Sequence, residues 1–305
     1  MKVPSSSSAE AVISLCNLSC RFGKTQALRE VTLHVPEGGV YGLVGENGAG
    51  KTTLIKHVLG LMRPQAGTVR VCGRDPVRDP VEVLSKIGYL SEYRDLPQWM
   101  RVDELLRYTA AFYSTWDVGF AESLRDQFEL DPAARVRHLS QGQQAKAGLM
   151  LALAYRPEVL VLDEPSSGLD PVVRRQILET MIRSVANEGR TVFFSSHLLD
   201  EIERVSDHLA LIHQGEILSS GRLETLQEAH VLLHVEFDQP RSSLLCESGV
   251  LRWTGAARSW TALCQRPVND VIQWVGTIGG RVVGEDVPSL DEIFFGRVSK
   301  PKGKG

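Results

Sequence analysis

Val40-Tyr41-Gly42-Leu43-Val44-Gly45-Glu46-Asn47-Gly48-Ala49-Gly50-Lys51-Thr52-Thr53 is the stretch that decides the fold. An apolar strand-like run over 40–44 enters a loop with the spacing G-x-x-x-x-G-K-[ST], and a helical pattern over 51–62 leaves it, stopped by Pro64. That order of strand, glycine-rich loop and helix is the context the motif needs. Glycines let the backbone curl so that successive N–H groups of Gly45, Glu46, Asn47, Gly48, Ala49 and Gly50 point inward as an anion nest. The helix that begins at Lys51 adds its partial positive end. The spacing places the Lys51 ammonium on the β- and γ-phosphates of a nucleotide and the Thr52 hydroxyl, with Thr53 beside it, next to Mg²⁺.

Working outward, Val159-Leu160-Val161-Leu162-Asp163-Glu164 is an apolar strand ending in two acids. In a chain with a phosphate loop, Asp163 is expected to hold Mg²⁺ and Glu164 to take a proton from an attacking water. A second bare apolar run occupies 192–194. Such runs alternate with helical patterns at 143–155 and 174–186, which predicts a mostly parallel sheet covered on both faces. Ahead of the loop, 13–19 and 27–35 read as strands of an antiparallel portion. A short strand follows over 69–72, a mostly helical region over 102–130, and a strand–turn–strand over 209–217 around Gln214-Gly215. Beyond Gly221 the texture changes. Strands are expected over 231–237, 251–254, 260–264 and 281–283, with helices over 269–278 and 291–295. A boundary near residue 225 therefore separates a main domain (11–225) from a small α+β domain (226–298). Residues 1–10 read as a flexible tail and 299–305 as a solvated basic tail.

Composition sets the outer limits. The 305 residues carry 34 Lys and Arg against 37 Asp and Glu, a net charge of -3, so the basic footprint of a nucleic-acid binder is missing. The longest apolar stretch, 147–155, falls short of the ~20 residues of a membrane-spanning helix. No apolar leader follows Met1, and the compartment is expected to be cytosolic. The five cysteines, an odd number with no C-x-x-C pair, are expected to be free thiols, with Cys16 and Cys20 acting as small hydrophobes in an alternating strand, and no zinc site is expected.

Leu139-Ser140-Gln141-Gly142-Gln143 adds a further element. By itself it is a capping box, Ser140-x-x-Gln143, opening an amphipathic helix. With the two motifs above, it resembles the signature sequence of the ATP-binding cassette (ABC) ATPases, with Gln141 in place of a glycine. Ser167-Gly168-Leu169-Asp170 is similar to the D-loop of that family, His197 to its H-loop histidine, and Phe22 to the aromatic that stacks on adenine. Gly88-Tyr89-Leu90-Ser91-Glu92 resembles the Q-loop, with Glu92 where most members have glutamine; a carboxylate oxygen can still ligate Mg²⁺.

The resemblance covers residue 13 to about 225. It implies an α/β P-loop NTPase cassette: a mostly parallel core sheet, an antiparallel β subdomain, and a helical signature subdomain over about 93–155. It also implies ATP and Mg²⁺ as ligands and ATP hydrolysis as the activity, with Glu164, His197 and Glu92 catalytic. Phe22, residues 45–53, Ser140, Gly142, Gln143 and Asp170 are implied to touch nucleotide, and Thr52, Asp163 and Glu92 the metal. In the family the signature helix end meets the γ-phosphate held by a second cassette. One phosphate loop and no membrane span therefore imply a second cassette and a separate membrane permease, with the chain peripheral at the cytoplasmic face of the membrane. The motif departures and the ending Ser289-Leu290-Asp291-Glu292-Ile293-Phe294-Phe295 look most like stand-alone subunits of bacterial drug exporters. The alternative, a soluble family member acting on ribosomes or nucleic acid, fits poorly with a single cassette, with the short stretch between Lys51 and Asp163, and with the net charge. One segment stays open between two readings: Leu96-Pro97-Gln98-Trp99-Met100 sets large apolar side chains in a turn-rich stretch, either as subdomain core or as part of a groove for a permease loop.

Overall fold

The computed structural model describes residues 11–244, 246 and 249–298, apart from the side chains of 183–188. The two expected terminal tails lie outside the described residues. Contacts divide the chain into two compact units, residues 1–219 and 220–305.

The first unit opens with an antiparallel sheet, β1 (Ala11–Phe22) between β2 (Thr25–Pro36) and a later strand. Alternation, reset by an irregularity between Leu15 and Leu18 where Asn17 takes φ 50°, sends Ile13, Leu15, Leu18 and Cys20 inward, whereas Cys16 falls on the exposed side and is not the small core hydrophobe its neighbourhood suggests. β3 (Gly39–Val44) then leads through the glycine-rich loop into α1 (Lys51–Val58). The helix is shorter than its pattern: Gly60 turns out at φ 69° and its N–H donates to the His57 carbonyl, which ends the helix before Pro64 is reached. β4 (Ala66–Val71) completes the antiparallel sheet. α2 (Pro80–Leu84) and β5 (Ile87–Leu90) follow; both are short, and neither was expected from periodicity.

The helical stretch breaks into α3 (Val102–Ala110) and α4 (Val118–Gln127), the latter capped by Asp117, whose side chain accepts from the Phe120 N–H at 2.8 Å. A single 3₁₀ turn (Val136–His138) precedes α5 (Gln141–Leu153). Then come β6 (Val159–Asp163), α6 (Pro171–Glu188), β7 (Thr191–Ser196), α7 (Leu199–Val205), β8 (His208–His213) and β9 (Glu216–Arg222).

The strand order of the main sheet is β5-β6-β7-β3-β8-β9, with parallel pairing from β5 through to β8. β6 and β7 are buried along their whole length, which explains their uninterrupted apolar runs. One apolar cluster runs from the antiparallel sheet (Ile13, Leu15, Val69) through α1 (Leu54, Ile55, Val58) to β6 and β7 (Val161, Phe193). Each such buried side chain contributes about 1.5–3 kcal/mol. This cluster fixes the loop between β3 and α1 from both sides. On the opposite flank α5 presses on β5. A Cβ at Gly88 would lie 2.3 Å from the Ala152 carbonyl oxygen, so only glycine permits the approach. The helix that Ser140 opens is thereby held against the strand leading to Glu92.

The second unit contains α8 (Leu223–Glu228), β10 (His230–Arg241), β11 (Val250–Gln265), α9 (Asn269–Thr277), β12 (Gly280–Asp286) and α10 (Leu290–Val298). β10 runs centrally, antiparallel to both β11 and β12. The two short strands expected at 251–254 and 260–264 form one continuous β11, which bends at Gly255 and Ala257, both at positive φ. Its core joins Val231, Leu233, Val235 and Phe237 to Val271 and Val275 of α9. Among the described residues no helix is long and apolar enough to cross a membrane.

Candidate functional site

β3, β6 and β7 are neighbours in the sheet, so their C-terminal ends bring three loops together, the place where open parallel sheets bind ligands. The first is the glycine-rich loop. Gly50 adopts φ 112°, and a Cβ there would sit 2.6 Å from the Ala27 carbonyl oxygen, so the loop can wrap tightly only with glycine. Lys51 is buried (5% exposed) and its Nζ donates to the carbonyls of Gly45 at 2.6 Å and Glu46 at 3.1 Å.

The second loop follows β6. Glu164 is 4% exposed and holds φ 48°, a strained conformation for a residue with a side chain. Its Oε1 lies 3.0 Å from Lys51 Nζ, an ion pair outside hydrogen-bond alignment. Its Oε2 lies 2.7 Å from His197 Nδ1 and accepts the His197 backbone N–H at 3.3 Å. Lys51, Glu164 and His197 thus form a chain of contacts across the ends of three strands.

The third loop follows β7 and is fastened from within. The Ser195 hydroxyl donates to Asp163 Oδ1 at 2.7 Å and accepts the Glu164 N–H at 3.0 Å, which fixes both acids. Burial pushes the Asp163 carboxyl above its ordinary range, against the opposing pull of the Ser195 and Thr52 hydroxyls.

A cleft of about 380 Å³ opens over these groups, lined by Thr25, Gln26 and Ala27 of the β1–β2 hairpin, Asn47, Gly48 and Gly50 to Thr53 of the loop, and Glu92, Tyr93 and Glu164. A second cleft of about 410 Å³ shares Thr52, Glu92 and Tyr93 with it and adds Asp163, so Glu92 stands where the two meet. Hydroxyl and carboxylate oxygens from Thr52, Asp163 and Glu92 are a donor set suited to Mg²⁺. Among the described residues no cluster of three or more His, Cys, Asp or Glu is placed to hold a metal alone.

Other expected residues lie apart. Phe22 ends β1 at the hairpin and is 52% exposed, and it is not among the residues lining the cleft. Glu46 faces His213 at 3.7 Å and does not line the cleft. Ser140, Gly142, Gln143 and Asp170 also do not line the cleft. Ser140 accepts the Gln143 N–H at 3.2 Å while Gln143 Oε1 accepts the Ser140 N–H at 2.9 Å, the reciprocal cap of α5. Gly142 packs against Val173. Asp170 accepts the N–H groups of Val172 and Val173 at the head of α6, so its cap role is filled within the chain. Trp99 is 67% exposed whereas Met100 is buried, so the segment is divided between core and surface.

Sequence reasoning missed several buried polar groups around the site. Ser195 is one. Arg94 is another: it is 9% exposed, and its guanidinium donates to the Ser167 carbonyl at 2.5 Å, joining the loop after β5 to the loop after β6. The hydroxyls of Ser195 and Ser196 directly after an apolar strand were the visible signal for the first.

Comparison with known proteins agrees with this geometry. The family model described as "ABC transporter" matches residues 28–167. An uncharacterized ABC transporter ATP-binding protein of Nostoc is 31% identical, over 91% of this chain and 84% of its own length. The daunorubicin resistance ATP-binding protein DrrA3 of Streptomyces coeruleorubidus is 32% identical, over 72% of this chain and 71% of its own. A solved ATP-binding subunit of an ABC transporter superposes with a TM-score of 0.66 at 29% identity, covering 71% of this chain and 92% of that one. The chain belongs to the ATP-binding cassette family and is an ABC-type ATPase, an ATP-binding subunit of the transporter kind.

Proposed function

We propose that this chain hydrolyses ATP as one of two cassettes that close head to tail on a separate membrane permease, at the cytoplasmic face of the membrane, and that the transport it powers is export. The observation that carries the catalytic part is the Lys51–Glu164–His197 arrangement, 3.0 and 2.7 Å across three adjacent loops. Lys51 is held at the loop by two carbonyls and by Glu164, and it turns to the β- and γ-phosphates when nucleotide enters. That exchange frees the Glu164 carboxylate to take the proton of the water that attacks the γ-phosphorus. The bond from the γ-phosphorus to the bridging oxygen breaks, leaving ADP and phosphate. His197, oriented by Glu164, hydrogen-bonds the γ-phosphate. Thr52, Asp163 and Glu92 supply the oxygen ligands of Mg²⁺, which when bound offsets charge on the transferring phosphoryl group. Phe22 is exposed and pairs across the hairpin with Thr25, which lines the cleft, so it is available for an adenine ring to stack on.

Ser140, Gly142 and Gln143 do not line their own cleft, and the positive end of α5 carries an exposed Ser140. A capped helix end of this kind fits a γ-phosphate presented by a second cassette. Export is supported by the drug-resistance relative, and the small domain beyond the cassette is proposed to serve dimer contacts or regulation. Light scattering on the Glu164→Gln protein tests the pairing. With Mg·ATP the mass should rise from the 33.7 kDa monomer to twice that value, and an unchanged mass at saturating nucleotide would speak against self-pairing.

A further inference from the structure

Glu201 lies on α7, a short helix whose other inward residues, Leu199, Ile202 and Val205, are apolar, and it is itself only 2% exposed. A carboxylate in such a place is costly unless donors surround it. Its Oε2 accepts the Ser166 hydroxyl at 2.7 Å and the Ser196 hydroxyl at 2.8 Å, and its Oε1 lies 3.2 Å from Arg174 Nε.

The positions of these three partners are informative. Ser166 comes two residues after Glu164, on the loop that runs on to Asp170. Ser196 immediately precedes His197, and its hydroxyl also accepts the Leu198 N–H at 3.1 Å, so the backbone on both sides of His197 is pinned to one oxygen. Arg174 stands near the head of α6, where Asp170 forms the cap, and its N–H donates to the Asp170 carbonyl at 3.0 Å. Alternation along β7 sends Ser195 and Ser196 to opposite faces of the sheet. Ser195 therefore fastens Asp163 and Glu164 from one side while Ser196 and Glu201 fasten the His197 loop from the other. Glu201 lines neither cleft at the phosphate loop.

We infer that Glu201 is a positioning residue for hydrolysis: one buried carboxylate clamps the loop carrying Glu164 to the loop carrying His197, and ties both to the start of α6. The inference rests on the reading of Glu164 and His197 as the hydrolytic pair. Glu201 touches no group that lines the cleft, so it acts on nucleotide only through the loops of Glu164 and His197, and its main effect falls on turnover, where base and histidine must share one register for the water to attack in line.

The test uses the full chain with Glu201→Ala, Glu201→Gln and the Ser166→Ala/Ser196→Ala double substitution, alongside Glu164→Gln. Three quantities are read for each: the melting temperature, the Kd of a fluorescent ATP analogue, and kcat at saturating Mg·ATP on folded protein. Glu201→Ala should lower kcat at least about tenfold with Kd moved less than about twofold, and Glu201→Gln, whose amide oxygen still accepts a hydroxyl, should restore kcat to within about threefold. The double substitution leaves the Arg174 ion pair in place and should lower kcat in the same way; it decides the matter if Glu201→Ala does not fold. Unchanged kcat in the folded variants would overturn the inference, and so would a parallel loss of kcat, affinity and folded fraction, which marks a merely structural role. Slow Glu164→Gln with normal Glu201→Ala would remove this inference alone. Normal hydrolysis by Glu164→Gln would remove the reading beneath it as well.

Discussion

Exchanging Glu164 for Gln separates three things that the site does with one carboxylate. Glu164 neutralises Lys51 across 3.0 Å, with both side chains buried. The amide keeps the shape but not the charge, and leaves the ammonium with the Gly45 and Glu46 carbonyls at 2.6 and 3.1 Å. Removing one partner of a buried ion pair costs about 3–5 kcal/mol. Two remaining acceptors and an isosteric amide oxygen reduce that to about 1–3 kcal/mol. At about 2–4 °C per kcal/mol, the melting temperature without nucleotide should fall by about 2–12 °C. Phosphate oxygens replace the missing carboxylate once ATP binds, so the same free energy returns as affinity, about 5- to 150-fold tighter. Turnover moves the other way. Without a base for the attacking water, kcat should fall about 10²–10⁴-fold, or about 2.7–5.4 kcal/mol of barrier. Differential scanning fluorimetry with and without ATP, titration of a fluorescent analogue and single-turnover hydrolysis measure all three. Unimpaired hydrolysis refutes the base assignment. Unchanged melting together with unchanged affinity refutes the exchange of partners at Lys51.

Four further outcomes follow from the same geometry. Glu92→Gln keeps an oxygen ligand and should retain hydrolysis within about tenfold, about 1.4 kcal/mol, whereas Glu92→Ala should lose more; ATPase rate against Mg²⁺ concentration distinguishes them. Asp163→Asn should abolish Mg²⁺-dependent hydrolysis yet raise the nucleotide-free melting temperature. Because burial raises the Asp163 pKa, its protonated form is favoured on folding; that stability is present at acidic pH and lost as pH rises through the folded value, so the advantage of the variant should widen as pH rises above the ordinary carboxylate range. Trp99→Ala, at a 67% exposed side chain, should leave melting and ATP affinity unchanged and weaken permease binding in a pull-down. A chain ending at residue 225 should retain nucleotide affinity in calorimetric titration, since every group of the cleft lies in the first unit.

What the sequence disclosed, and what it hid, follows from the range of the interactions. Gly45 to Thr53 form a site from consecutive backbone groups, so the motif carries its own geometry. Asp163 and Glu164 are legible because a fully buried parallel strand must end in polar residues where the loop emerges. The clamps are a different matter. Ser195 meets Asp163 across 32 positions, and Glu201 meets Ser166 across 35; nothing in a single sequence pairs them. β5 escaped notice because its four residues include a glycine and a half-buried tyrosine, and pairing with β6 rather than local propensity makes it a strand. The overlong α1 has a local cause, the left-handed Gly60 two positions past its end, which a helical window smooths over. Phe22 shows the opposite limit: its spacing is that of a stacking residue, but only a bound ring would give it a partner.

Purification of the tagged full-length chain from detergent-solubilised membranes tests the account most directly. It should bring down a polytopic membrane protein in stoichiometric amount, and ATP hydrolysis by the complex should respond to that protein's substrate. Recovery of the chain only from the soluble fraction, alone or on ribosomes, with full ATPase activity and no membrane partner, would contradict the account.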